Sequence, residues 1–135
     1  MSITIKAALL AVALATPGAA AALPPIEKNP VVVQGFYAIG LADEIRKNCP
    51  TISPRLIRAW SYLNSLKSYA REAGYSEQQI DALQHAKAAK NALEDRIRAD
   101  LAARGATPAN PEGYCAVGRE EIARDTAAGR LLRSK

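Results

Sequence analysis

Cys49 and Cys115 are the only two cysteines in this chain of 135 residues, and whether they join depends on the compartment in which the chain folds. The first residues set that compartment. Lys6 precedes an apolar run from Ala7 to Ala15, and small residues follow, ending in Ala20-Ala21-Ala22. This is the three-part layout of a secretory signal, with cleavage expected after Ala22. Pro17-Gly18 interrupts the apolar stretch, which is shorter than the roughly 20 residues that span a bilayer, so a retained anchor is disfavoured. No cysteine follows the cleavage region and no arginine pair precedes the run, which argues against lipidation and against a twin-arginine signal. The expected product is a soluble periplasmic protein. In an oxidising compartment the two cysteines form one disulfide. Closing a loop of about 66 residues stabilises the fold by roughly 4 kcal/mol in the chain-entropy account. A redox-active pair would sit close in sequence, as in C-x-x-C, and no such motif occurs.

Behind residues 1–22, the stretch 23–135 suits one domain, and nothing in it alternates as a strand would. Leu23-Pro24-Pro25 to Asn29 reads as an extended leader, since consecutive prolines fix φ and remove donors. Asn29-Pro30 opens a helix carrying Val32, Phe36, Ile39 and Ile45 to Asn48, although Val31 to Val33, Gly35 and Gly40 lower its propensity. Ser53-Pro54 reads as the next start, and Gly74 as its left-handed stop. On that second helix Leu56, Ala59, Leu63, Leu66, Ala70 and Ala73 share one arc, the expected buried face, with Ser61, Ser65, Ser68 and Glu72 opposite.

Ser76 to Gln79 has the form of a capping box, and apolar positions from Ile80 to Leu101 continue at helical steps. That span is one long helix, or two if it bends between His85 and Lys90, where the apolar positions shrink to alanine. Asn110-Pro111-Glu112 begins the last helix, with Tyr114, Cys115 and Ile122 on it and Leu131 and Leu132 near its end. The expected fold is all-α: a small domain of four helices, five if the third is broken, with one disulfide joining the exit of the first helix to the entry of the last.

Catalytic chemistry has little to draw on. His85 is the only histidine, so a metal site or a nucleophile-histidine pair would hang on one residue, and a surface histidine is the simpler reading. Haem attachment lacks C-x-x-C-H. The adjacent carboxylates Asp43-Glu44, Glu94-Asp95 and Glu120-Glu121 lie 100° apart on a helix and read as solvated faces. No glycine-rich phosphate loop occurs, and one Trp and one Phe offer little for a sugar cleft. The expectation is a protein that is not an enzyme and has no cofactor or metal.

Charge is the remaining clue. Of 18 basic side chains one, Lys6, lies in the export segment, leaving 17 against 13 acidic ones. An exported protein does not meet nucleic acid, so the excess suits acidic lipid headgroups, acidic protein surfaces or solubility. Arg46, Lys47, Arg55, Arg58, Lys67 and Arg71 follow one another with no acidic residue between them. Trp60, Asn64, Lys67 and Arg71 fall along one edge of the second helix. This stripe suits an interface, since Trp and Arg dominate binding hot spots; alternatively Trp60 completes the core and the cations are its solvated rim. The tail, with Arg130, Arg133 and Lys135, reads equally as a docking segment or as a frayed helix end.

Several segments together resemble an uncharacterised family of small exported alphaproteobacterial proteins, a domain of unknown function. The shared residues are Leu23-Pro24-Pro25, Cys49-Pro50-Thr51-Ile52-Ser53 with Arg55, Gly74-Tyr75, Tyr114-Cys115-Ala116-Val117-Gly118-Arg119 with Glu121-Ile122, and Leu131-Leu132-Arg133. Relatives tend to carry a proline break near Gln84 to Lys90, which this chain lacks. The resemblance brings no catalytic residues. It implies gene context among the subunits of the proton-pumping NADH:quinone oxidoreductase, respiratory complex I. The expected function is therefore a non-catalytic accessory subunit or assembly factor on the periplasmic face of that complex, held through the second helix and the basic tail. The alternative is a free periplasmic binding or acid-stress chaperone-like protein.

Overall fold

A computed structural model describes residues 22–135. The expected export segment, apart from Ala22, lies outside them. Five α-helices follow one another: α1 (Pro30–Asn48), α2 (Leu56–Ala73), α3 (Glu77–Gln84), α4 (Lys87–Ala103) and α5 (Glu112–Ala123). Two short strands, β1 (Ile52–Pro54) and β2 (Leu132–Ser134), pair antiparallel with Ser53 opposite Arg133. The mostly helical class is as expected; the small sheet is not.

α1 is the central element. Asn29 caps it, its Oδ1 accepting the Val31 and Val32 amides at 3.0 and 3.2 Å, and Pro30 fills the first position, where no amide is needed. α2, α4 and α5 all pack on it. The glycines that weaken its propensity are what let them approach: a Cβ on Gly35 would collide with Leu66 of α2, and one on Gly40 with Ile97 of α4. Tertiary packing thus overrides local preference. The main core joins Leu41 and Ile45 of α1, Ile97 and Leu101 of α4, Tyr114 and Val117 of α5, and Leu131 and Leu132. A second cluster, Ile26, Val32, Ala70, Tyr75 and Ile80, seals the opposite end. There the leader is tied down by the Tyr75 hydroxyl, which donates to the Pro24 carbonyl at 2.7 Å.

The disulfide joins Cys49, the residue at which α1 ends, to Cys115 in the first turn of α5. Both residues are buried. The long third helix is broken: α3 ends at His85 and α4 restarts at Lys87. Ser76 and Gln79 form the expected reciprocal capping box.

Four expectations need correction. The leader Leu23 to Asn29 is not extended throughout, since Ile26–Lys28 form a 3-10 turn that buries Ile26. Ser53-Pro54 does not start α2 but lies in β1; a residue before proline favours extended backbone, so the same dipeptide serves a strand. α5 ends at Ala123, where Asp125 takes a left-handed φ of 52°. Leu131 and Leu132 therefore reach the core from a 3-10 turn and from β2, and the tail is a paired strand rather than a frayed helix end. Glu121 is not a solvated carboxylate. It is buried, accepts from Arg104 Nη1 at 2.8 Å and also from the Thr126 hydroxyl.

Candidate functional site

The start of α2 is fixed from the C-terminal side. The Arg55 amide donates to the Leu131 carbonyl at 2.7 Å, its side-chain Nε donates to the Leu132 carbonyl at 3.0 Å, and the Lys135 amide donates to the Thr51 carbonyl at 2.9 Å. Held this way, the first turn of α2 stands clear of the core. Leu56, Ile57 and Trp60 are 71%, 83% and 68% exposed. Trp60 lies four residues after Leu56 and three after Ile57, so it neighbours both on the helix surface. Further along, Leu66 and Ala70 are buried against α1.

Two expectations about α2 are thus overturned. Leu56, placed by periodicity on the buried arc, is exposed because the arc meets the core only beyond the first turn. Trp60 does not complete the core; it stands in solvent beside Leu56 and Ile57. Leu56 and Ile57 were not singled out for an interface, and the available signal was their adjacency to Trp60 amid unopposed cations.

The remaining candidate residues divide. Arg58 and Arg133 are exposed and meet no carboxylate within ion-pair distance among the described residues. Arg55 is half-buried and structural. Lys67 borders a small apolar gap beside Phe36 and Leu83. Arg71 lies about 16 Å along the helix axis from Trp60 and is engaged by Glu77, whose carboxylate raises the Arg71 pKa. Arg130 is likewise engaged, by Asp125 at 3.0 Å. The structure therefore places Arg58 next to Ile57 in the first turn of α2, about 160° round the helix from Trp60, sets Arg133 on β2 opposite Ser53, and leaves Lys67, Arg71 and Arg130 elsewhere or neutralised.

Groups suited to catalysis are not assembled in the same way. His85 Nδ1 lies 3.1 Å from the Asp81 carbonyl at the end of α3. No group of three or more His, Cys, Asp or Glu able to hold a metal occurs among the described residues. The open groove of about 530 Å³ between α1 and α2 is lined by residues such as Val31, Gln34, Tyr62 and Tyr69, with no carboxylate, cation or histidine. The Tyr37 pKa is pushed up to about 12 by burial and by its hydrogen bond to Asp100. Arg96 lies over its ring at 4.7 Å, a packing arrangement. No helix of the described residues is long and apolar enough to cross a membrane.

No curated protein and no solved structure is similar to the chain. One family model does match, that of DUF5333, a family of unknown function, over residues 24–133. Because that match takes in both cysteines, all five helices and most of β2, the chain belongs to the DUF5333 family.

Proposed function

We propose that this protein is a non-catalytic accessory subunit or assembly factor of respiratory complex I, working at the periplasmic face of the membrane. The observation that carries the docking part of this reading is the exposed trio Leu56, Ile57 and Trp60 beside Arg58 and Arg133. Three large apolar side chains side by side on one helix turn are a surface that water disfavours, and such patches mark contact sites. The choice of complex rests on the resemblance and the gene context it implies. A non-catalytic, structural role also suits a rigid domain: a buried disulfide and an ion pair from Arg104 to the buried Glu121 hold the domain that presents the patch.

Purification of complex I in a gentle detergent from the source organism tests this reading. The protein is expected to travel with the complex and to be lost from it when Leu56 and Ile57 are both changed to serine. A complex that contains none of this protein overturns it.

A further inference from the structure

Many cations elsewhere in the chain are matched, although Lys28, Lys67, Lys87 and Lys135 also meet no carboxylate within ion-pair distance among the described residues. Arg46 and Lys47 share Asp43, Arg104 holds Glu120 and Glu121, Arg119 meets Glu112, and Arg124 meets Glu120. The exposed cations at the start of α2 are not. The first turn of α2 holds no acidic residue. Asp125, whose pKa is lowered first by its bond to Arg130 and only last by the Arg58 charge, is engaged by Arg130 at 3.0 Å. The first turn of α2 is therefore an apolar tip, and neither Arg58 nor Arg133 near it meets a carboxylate within ion-pair distance among the described residues.

We infer that this tip seats on an anionic phospholipid surface, with Leu56, Ile57 and Trp60 entering the headgroup–acyl boundary while Arg58 and Arg133 bind lipid phosphates. The inference deepens the docking reading above by naming what the tip touches. Each residue type fits that role. Leucine and isoleucine gain from leaving water, tryptophan favours the interfacial depth, and guanidinium matches phosphate geometry with two donors. The size fits as well. Three exposed side chains supply on the order of half of the ~800 Å² per partner that a specific protein interface buries, so the tip is not a whole protein interface by itself, and its area suits shallow insertion combined with charge, which adds to what holds the protein at the complex. Strand β2 keeps Arg133 at the tip, opposite Ser53 and just ahead of Arg55.

Trp60 is the only tryptophan, so its fluorescence reports the tip directly. The protein, exported from the full chain and purified, is mixed with vesicles of phosphatidylglycerol and phosphatidylcholine, and separately with phosphatidylcholine alone. The expected result with the anionic vesicles is a blue shift of emission, quenching by brominated acyl chains and reversal by high salt. Binding to phosphatidylcholine alone is expected to be weaker by about tenfold or more, because each basic side chain near an anionic surface contributes to affinity. Leu56→Ser with Ile57→Ser should abolish the shift, and Arg58→Glu with Arg133→Glu should weaken binding by about tenfold or more. Unchanged circular dichroism shows that these exposed-site variants still fold. Absence of a shift, equal binding to both vesicles, or variants that bind like wild type would each overturn the lipid assignment. If vesicles fail while the serine variant is lost from complex I, the tip binds protein, which overturns this inference and leaves the proposed function. Vesicle binding by a protein that never accompanies complex I does the reverse.

Discussion

Arg55 Nε donates to the Leu132 carbonyl across 3.0 Å, tying the residue that opens α2 to the strand that closes the fold. This link, with the Arg55 amide on Leu131, decides where the exposed turn of α2 points. A hydrogen bond from a charged donor contributes about 2 kcal/mol. Arg55→Ala should lower the unfolding free energy by about that amount and speed hydrogen exchange at the Lys135 amide, which pairs with Thr51 in the same ribbon. Unchanged protection there would show that the strand holds without it.

Arg104 and Glu121 predict an asymmetric pair of substitutions. Burial works against the Arg104 charge, but its hydrogen bonds to Glu121 and Glu120 outweigh this and raise its pKa. Removing the cation leaves the buried carboxylate with only the Thr126 hydroxyl as donor, and losing a hydrogen bond from a charged group costs about 2 kcal/mol. Arg104→Ala should therefore destabilise the protein by about that much in urea unfolding, with Glu121→Gln less harmful because the amide oxygen can still accept from Arg104 while its NH2 donates to the Thr126 hydroxyl. Equal costs would contradict this account.

Reduction of the disulfide supplies a third expectation. Cys49 and Cys115 are 1% and 3% exposed and close a loop of 66 residues. A native fold that excludes reductant should keep the bond until it opens. Replacing both by serine should lower stability by about 4 kcal/mol in the chain-entropy account while leaving the helical circular dichroism at neutral pH intact. A loss of vesicle binding larger than the loss of folded protein would give the cysteines a role beyond scaffolding.

Tyr37 makes the fold sensitive to alkali. Its pKa is raised from 10.0 to about 12, first by burial and then by the bond to Asp100. The folded state thus retains a proton that the unfolded chain releases earlier. The contribution is fully present below pH 10 and is lost as pH rises from there through about 12. The stability difference between wild type and Tyr37→Phe should shift in favour of the variant across that interval, as followed by denaturant midpoints. Parallel curves would remove the claim.

Much of this architecture was legible because it rests on local chemistry. Asn29-Pro30, Ser76 to Gln79 and Gly74 each satisfy or end a helix through neighbouring backbone, and each does so in the structure. The break between α3 and α4 was legible as a weakness, since alanines offer little for a neighbour to grip. What escaped depended on partners far along the chain. Ile52 to Pro54 becomes a strand because Leu132 to Ser134 lies beside it, and three residues are too few to show an alternating pattern. Leu132 is core because Asp125 turns the chain back after α5. Periodicity places Leu56 inward on α2, yet no element covers the first turn, so the same regular spacing yields a buried Leu66 and an exposed Leu56. The exposed first turn of α2 is where helical pattern and tertiary cover disagree.

Fractionation of cells that export the full chain measures the central claim most directly, by asking where the folded protein resides. The account predicts that it sediments with the membrane, is released by high salt, and moves to the soluble fraction when Leu56 and Ile57 are both changed to serine. Recovery of the wild-type protein wholly in the soluble fraction, or of the serine variant on the membrane to the same extent as wild type, would contradict it.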